Sequence, residues 1–285
     1  MHQEKPQYSI PRGPITTSIN YYSAPAYGAL PFNYVETPPP GQPERNYRDE
    51  AFSVTLQDVR GREGDFSLDK DSFQTLKNIP DTTETDFASD DSIRRSYYPE
   101  VEQILLDHVP GCERIFIFDH TIRSVDPSAS RPPLTRCHLD QTHESAKARV
   151  KHHLPDDAEE LLKGRYRIIN VWRPINGPVV EYPLGMISAS SAVEEDFVNI
   201  KHIYPHRTGE TGGVTYSDTH KWYYWSGVTN NERILLQCFD SEVSKPSSKV
   251  FGGRAPHSAF VDPRTPKGVP ARRSIEVRAL IFCRF

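Results

Sequence analysis

Short apolar runs broken by prolines and polar turns dominate the chain from about residue 114 onward. Arg114 to Ile122 (RIFIFDHTI) and Arg165 to Ile175 (RYRIINVWRPI) read as strands, the second closed by a proline. Further strands are expected at PLGMISAS, GGVTYSD, KWYYWS, RILLQCFDS, HSAFVDP and SIEVRALIFC, each separated by a turn-rich connector. Helical spacing occurs in two places. SYYPEVEQILLDHVPG from Ser96 carries Val101, Ile104, Leu105 and Val109 on one face and ends at Pro-Gly, and THESAKARVKHHLPDDAEELLKG reads as one or two helices, restarted at Pro155-Asp156. About eight short strands with no helix in most of the gaps describe a mainly β fold with flanking helices, a jelly roll or double-stranded β-helix. A parallel nucleotide-binding sheet needs a helix in most gaps, and no GxGxxG is present.

Residues 1–65 differ from this. PRGP, the run TPPPGQP from Thr37 and tyrosine pairs without a regular period predict an extended N-terminal arm wrapped on the domain, which is expected over 66–285. Residues 65–90 are acid-rich and read as a surface loop or short helix.

With 36% hydrophobic and 11% aromatic residues in 285, a packed core is available and disorder throughout is excluded. Thirty-four Lys and Arg against 38 Asp and Glu give a net charge of −4, and no basic stripe interleaves with aromatics, so nucleic acid is not an expected partner. No apolar run approaches the roughly 20 residues that span a bilayer, and MHQEKPQYSI lacks a signal-peptide core. A cytoplasmic protein is the expectation. The four cysteines, Cys112, Cys137, Cys238 and Cys283, lack CxxC spacing and read as buried free thiols. Nothing in the sequence fixes an oligomeric state.

The chemistry begins at Arg136-Cys137-His138-Leu139-Asp140. On an extended strand, residues two apart face one side, so His138 and Asp140 can offer an imidazole nitrogen and a carboxylate oxygen to one point. A histidine from a distant strand would complete a two-histidine, one-carboxylate triad of the kind that holds iron(II) and leaves positions open for a co-substrate and oxygen. His257, in APHSAF at the start of an apolar strand, has the best setting. His220, His202 and His206 lie among polar loop residues. The same three ligands also suit a zinc or manganese hydrolase, and a non-catalytic jelly-roll module would keep the fold without metal.

The last strand alternates Arg272, Ser274, Glu276 and Arg278 with Arg273, Ile275, Val277 and Ala279. Its polar face suits either solvent or a pocket. If a pocket, Arg272 with Ser274, or Arg278 deeper along the strand, could bind the distal carboxylate of 2-oxoglutarate. Trp172 reads as core, Asn170 as a core amide or ligand contact, and Arg173 as a pocket residue or a brace. The HKWYYW aromatics are expected to divide between core and pocket wall. His152 and His153 fit a helix end through its dipole.

In order, DHTIR (Asp119 to Arg123), HLDQTHESAKARVKHHLP, RYRIINVWRPINGPVVEYPL, HKWYYW, ERILLQCFDS, APHSAFVDP and RRSIEVRALIF resemble the successive blocks of the fungal hydroxylase/desaturase family. That family includes gibberellin desaturase-like enzymes and is related to a subunit of the cephamycin methoxylation system. The resemblance runs from about Arg114 to the C-terminus. It implies a double-stranded β-helix, iron(II), 2-oxoglutarate as co-substrate, and oxidation of a small molecule by O2 in specialised metabolism. His138, Asp140 and His257 occupy its ligand positions. Where the family shows Pro-Arg-Glu-Ser-Ile-Glu-Val-Arg, this chain has Ala271-Arg272-Arg273-Ser274-Ile275-Glu276-Val277-Arg278, which keeps both arginine candidates. Hydroxylation, desaturation and ring formation all stay open, as does the substrate.

Overall fold

A computed structural model of the chain describes residues 8–283, so residues 1–7 of the N-terminal arm and residues 284–285 lie outside it. Among the described residues, fourteen strands form two sheets. In chain order they are β1 (Ile15–Ser23), β2 (Phe32–Tyr34), β3 (Arg48–Asp58), β4 (Phe73–Leu76), β5 (Cys112–Ser124), β6 (His138–Leu139) and β7 (Tyr166–Pro174), followed by β8 (Leu184–Ile187), β9 (Phe197–Ile203), β10 (Thr208–Val214), β11 (Trp222–Tyr224), β12 (Arg233–Asp240), β13 (His257–Ala259) and β14 (Arg273–Cys283). The larger sheet runs β1-β3-β11-β8-β13-β6-β10-β9-β2, and the smaller β4-β12-β7-β14-β5. Two such sheets, facing one another across a shared core, are the jelly roll that the strand succession implies.

Period-two alternation sorts the side chains into layers. On β7, Tyr166, Ile168 and Trp172 join Leu184 and Met186 of β8, Leu236 of β12 and Leu280 of β14 in the core between the sheets. The intervening Ile169 and Val171 face outward with Leu235, Ile275, Val277 and Ala279. There they are covered by Val101, Ile104 and Leu105 of the helix Tyr98–His108. Because both faces of β7 are covered, all nine of its residues are buried. A third cluster, with Ile19, Leu56, Leu139, Trp222 and Tyr224, lies on the outer face of the larger sheet.

The helix expected from the spacing after Ser96 is present, extended upstream by one turn at Asp90–Ser92 and a π-helical turn at Ile93–Tyr97. The second helical segment forms His143–His153 and a single turn at Ala158–Leu161. Residues 65–90 do more than line the surface. Phe73–Leu76 pairs with β12 as an edge strand, and Phe66, Leu68, Phe73 and Ile79 are buried among the acids. In that stretch, burial of scattered apolar residues outweighs the local polar composition.

β1 pairs with β3 along its whole length, and β3 joins the sheet alongside β11. The N-terminal segment also reaches the candidate site. Asn20 of β1 bridges Arg136 and accepts the Cys137 backbone N–H at 2.7 Å, immediately before His138. On the other side, β10 presents Gly212 and Gly213 to Leu139 and His138. A Cβ at Gly212 would lie 2.7 Å from the Cβ of Leu139, so close approach of β10 to the two-residue strand β6 depends on glycine there.

Candidate metal centre

β6 and β13 are antiparallel neighbours, and His138 is paired directly with His257. Their rings lie 4.3 Å apart between centroids. Asp140, two residues beyond His138, turns its Oδ1 to both rings, 3.5 Å from His138 Nε2 and 4.0 Å from His257 Nε2. One ligand atom from each residue falls within 4.8 Å of the other two, and the three could hold a metal ion.

Each imidazole is held by its other nitrogen. His138 Nδ1 lies 2.8 Å from the Arg136 carbonyl and His257 Nδ1 2.9 Å from the Ala255 carbonyl. A carbonyl only accepts, so each Nδ1 carries a proton, which leaves Nε2 as the nitrogen on the Asp140 side that would offer its lone pair to a metal. Burial, then the neighbouring His257, lowers the pKa of His138 and favours this neutral form. Burial works to raise the Asp140 carboxyl, but the adjoining His138, His257 and Arg278 side chains outweigh it and hold the acid well below the usual range. The far oxygen of Asp140 accepts from Asn170 Nδ2 at 2.7 Å and faces the Cys238 thiol at 3.6 Å. Two nitrogens and one oxygen, oriented from behind and open on the far side, match the donor set of a mononuclear iron(II) oxygenase site.

None of the rival histidines joins the group that could hold a metal among the described residues. His220 is held between Asp196, at 3.0 Å, and the Tyr21 hydroxyl, at 3.4 Å. His202 is on β9, and His206 is exposed in the turn after it. His153 stacks on Phe118 at 5.2 Å, so packing as well as the helix end accounts for it.

A small cavity of about 40 Å³ adjoins the triad and is lined on one side by Arg272, Ser274, Glu276 and Arg278. The polar face of the last strand is therefore a pocket wall. Thr121 and Arg123 of β5, Leu134 and Trp172 complete much of the lining. The two arginines differ in their partners. Arg278 donates from Nε to Asp119 at 2.6 Å and from Nη2 to Thr121 at 2.9 Å. Burial disfavours its charge, but Glu276, Asp119 and Asp140 outweigh that and raise its pKa. Arg272 is 4% exposed, gives one hydrogen bond to the Tyr182 carbonyl, leaves its Nε without a partner and lies 5.6 Å from the Trp172 ring. Burial, then the neighbouring Arg123 charge, pushes its pKa down to about 9. Glu276 is raised by burial and by Asp140.

Of the remaining expectations, Asn170 contacts a ligand-set residue and Trp172 is both core and cavity wall. Arg173 is a brace on the opposite face, 5.3 Å from Phe87 and 5.8 Å from Tyr97. Trp222, Tyr223 and Tyr224 all pack in core clusters, and none of them lines the metal cavity. Cys238, expected only as a buried thiol, faces Asp140, and Thr121 and Arg123, which carry no expected role, line the cavity. Alternation along RILLQCFD places Cys238 on the face of Ile234 and Leu236, and DHTIR pairs across from the polar face of β14. Both signals were present in the strands.

A family model described as an oxidoreductase/YMDC permease-like domain matches residues 19–282. Among the described residues no helix is long and apolar enough to cross a membrane. The hydroxylase/desaturase poxK of Penicillium oxalicum is 37% identical over 95% of this chain and 92% of its own length. The chain belongs to the fungal hydroxylase/desaturase family of iron(II)/2-oxoglutarate-dependent oxygenases. Within it, the Fe(II)/2-oxoglutarate-dependent dioxygenase nvfI of Aspergillus novofumigatus is 29% identical over 87% of this chain and 90% of that one. The solved structure of the iron and alpha-ketoglutarate-dependent endoperoxidase NvfI superposes with a TM-score of 0.86 at 25% identity, covering 96% of this chain and 99% of that chain. This oxygenase shares the jelly-roll fold with it, and the family's iron requirement agrees with the donor set built from β6 and β13.

Proposed function

We propose that His138, Asp140 and His257 hold one iron(II), and that Arg272, helped by Ser274, binds the distal carboxylate of 2-oxoglutarate during oxidation of a small molecule in fungal secondary metabolism. The observation that carries this reading is the pairing of His138 with His257, with both Nε2 atoms close to Asp140 Oδ1. When bound, the iron and its keto-acid co-substrate supply the oxidising chemistry with O2.

The chain's own residues supply position. Asn170 and Cys238 fix the Asp140 carboxylate from behind, so one oxygen is left for metal. Arg272 has no carboxylate partner among the described residues, and its Nε is buried and unsatisfied, which is costly unless an anion completes it. Arg278 is already committed to Asp119 and Thr121, which supports Arg272 as the anchor and Arg278 as a brace of the pocket wall. A buried arginine without a carboxylate partner among the described residues, in the same cavity as the triad, suits the anionic keto-acid co-substrate of an oxygenase. The four unpaired thiols fit a reducing compartment, and we place the enzyme in the cytoplasm.

Anaerobic titration tests the assignment. Wild-type protein is expected to take up one iron(II) and then to develop a visible charge-transfer band on addition of 2-oxoglutarate. His138→Ala with Asp140→Ala is expected to lose both, and retention of the band in that double variant contradicts the reading.

A further inference from the structure

Arg123 stands directly opposite Ser274 where β5 pairs with β14. The pairing continues one step further, because the Val125 N–H donates to the Arg272 carbonyl at 3.0 Å. Opposed residues of an antiparallel pair point to one side, and so do residues two apart, so Arg123, Ser274 and Arg272 share a face. That face belongs to the cavity that His138, Asp140 and His257 also line. Two guanidiniums from neighbouring strands therefore enter the same space as the triad.

Neither is neutralised by contact. Arg123 gives one hydrogen bond, from Nη1 to the Pro132 carbonyl at 3.0 Å, and Arg272 gives one to the Tyr182 carbonyl. Among the described residues neither has a carboxylate partner, whereas Arg278 in the same wall has Asp119. The two also repel each other: after burial, the Arg123 charge does most to lower the pKa of Arg272. Glu276 attracts both arginines without a hydrogen bond or ion pair to either, and Asp140 attracts Arg123, but burial prevails and both guanidiniums are pushed down. Like charges held together away from water destabilise the site until an anion joins them. A carboxylate, which accepts charge-assisted hydrogen bonds on both oxygens, has the valence to serve two arginines at once.

We propose that Arg123 and Arg272 together clamp the distal carboxylate of the keto-acid co-substrate, which makes Arg123 a second co-substrate-binding residue and the pair a filter for keto acids with two carboxylates. The clamp rests on the oxygenase reading and adds a residue from β5 to it. A keto acid that ends in a methyl group leaves both guanidiniums unpaired and is rejected for that reason. Ser274 lies between the two arginines on the shared face and adds a hydroxyl donor.

Anaerobic titration of iron(II)-loaded full-length protein, read by the visible charge-transfer band, tests the clamp. The probes are 2-oxoglutarate and 2-oxobutyrate, which has the same chelating end and no distal carboxylate. Arg123→Gln is expected to lose roughly tenfold or more in affinity for 2-oxoglutarate and to stay within about twofold of wild type for 2-oxobutyrate. Arg123→Lys keeps the charge without the planar fork and is expected to fall between wild type and Arg123→Gln. Arg131 is exposed and acts on Arg123 only through its charge, so Arg131→Gln is expected to stay within about twofold for both acids. Affinity of Arg123→Gln for 2-oxoglutarate within about twofold of wild type overturns the proposal, as does an equal loss for both acids, which marks a structural role, or an equal loss in Arg131→Gln, which marks a general charge effect. Absence of the band in wild type with either acid refutes the oxygenase reading and the clamp with it, whereas a wild-type band that Arg123→Gln leaves unchanged refutes the clamp alone.

Discussion

Asn170 donates its Nδ2 to Oδ2 of Asp140 at 2.7 Å, linking the centre of β7 to a metal-ligand candidate on the opposite sheet. Asn170 itself is fully buried, and its position is fixed by β-pairing with Leu236 on one side and Arg278 on the other. The Asp140 carboxylate therefore inherits the rigidity of the smaller sheet. Replacing Asn170 by Leu keeps approximate volume and removes the donor, leaving that oxygen only the weak Cys238 contact. Partners of this kind are worth roughly 10- to 100-fold in metal affinity. Competition titration with manganese(II) should show a loss in that range for Asn170→Leu, and an affinity equal to wild type contradicts the orienting role.

Arg272 and Arg278 should separate cleanly by substitution. Arg272→Gln removes the unpartnered cation, and a charge-assisted hydrogen bond is worth about 1.5–3 kcal/mol, so the KM for 2-oxoglutarate is expected to rise by roughly one to two orders of magnitude. Arg278→Gln leaves Asp119 and Thr121 without their donor, and its main effect should be on thermal stability. Steady-state kinetics with varied 2-oxoglutarate checks both, and a larger KM effect from Arg278→Gln contradicts the assignment.

Much of this was legible in the chain. His138 and Asp140 are two residues apart on a strand, which forces them to one side, and the polar face Arg272, Ser274, Glu276, Arg278 can be read by alternation alone. What alternation cannot give is which strand lies opposite. His257 is one of several distant histidines in the sequence and only its pairing with His138 brings it to the triad, and the proposal of Arg272 over Arg278 rests on Asp119, 159 residues from Arg278. The strand at Phe73–Leu76 was hidden for a related reason. Its stability comes from pairing with β12 and not from local composition.

A buried ion network on the far side of β7 carries a stability prediction. Asp240 is fully buried and is shared by Arg165, whose Nε donates to it at 3.1 Å, and by Arg167 at 3.3 Å, itself 1% exposed. Removing one partner from such a cluster strands the others, at about 3–5 kcal/mol. Asp240→Asn should lower unfolding free energy on that scale in urea titrations. A change below about 0.5 kcal/mol, the range of ordinary surface substitutions, contradicts the network's role.

His202 predicts an acid-side loss of stability. Burial, then the charges of Arg136 and His138, lowers its pKa to about 4 from a model-peptide value of 6.5. Between those two values the unfolded chain binds a proton that the folded chain refuses, so this group destabilises the fold as pH falls from 6.5 toward 4 and has no effect above 6.5. At pH 5 the difference is about 1–2 kcal/mol. His202→Asn should narrow the gap in thermal stability between pH 7.5 and pH 5 in metal-free protein, and an unchanged gap contradicts the assignment.

The most direct test of the account is succinate release from 2-oxoglutarate by iron(II)-loaded protein in the presence of O2. Wild type is predicted to form succinate, and His138→Ala with Asp140→Ala to form none above the protein-free background. Succinate formation at the wild-type rate by that double variant would contradict the iron site on which the rest is built.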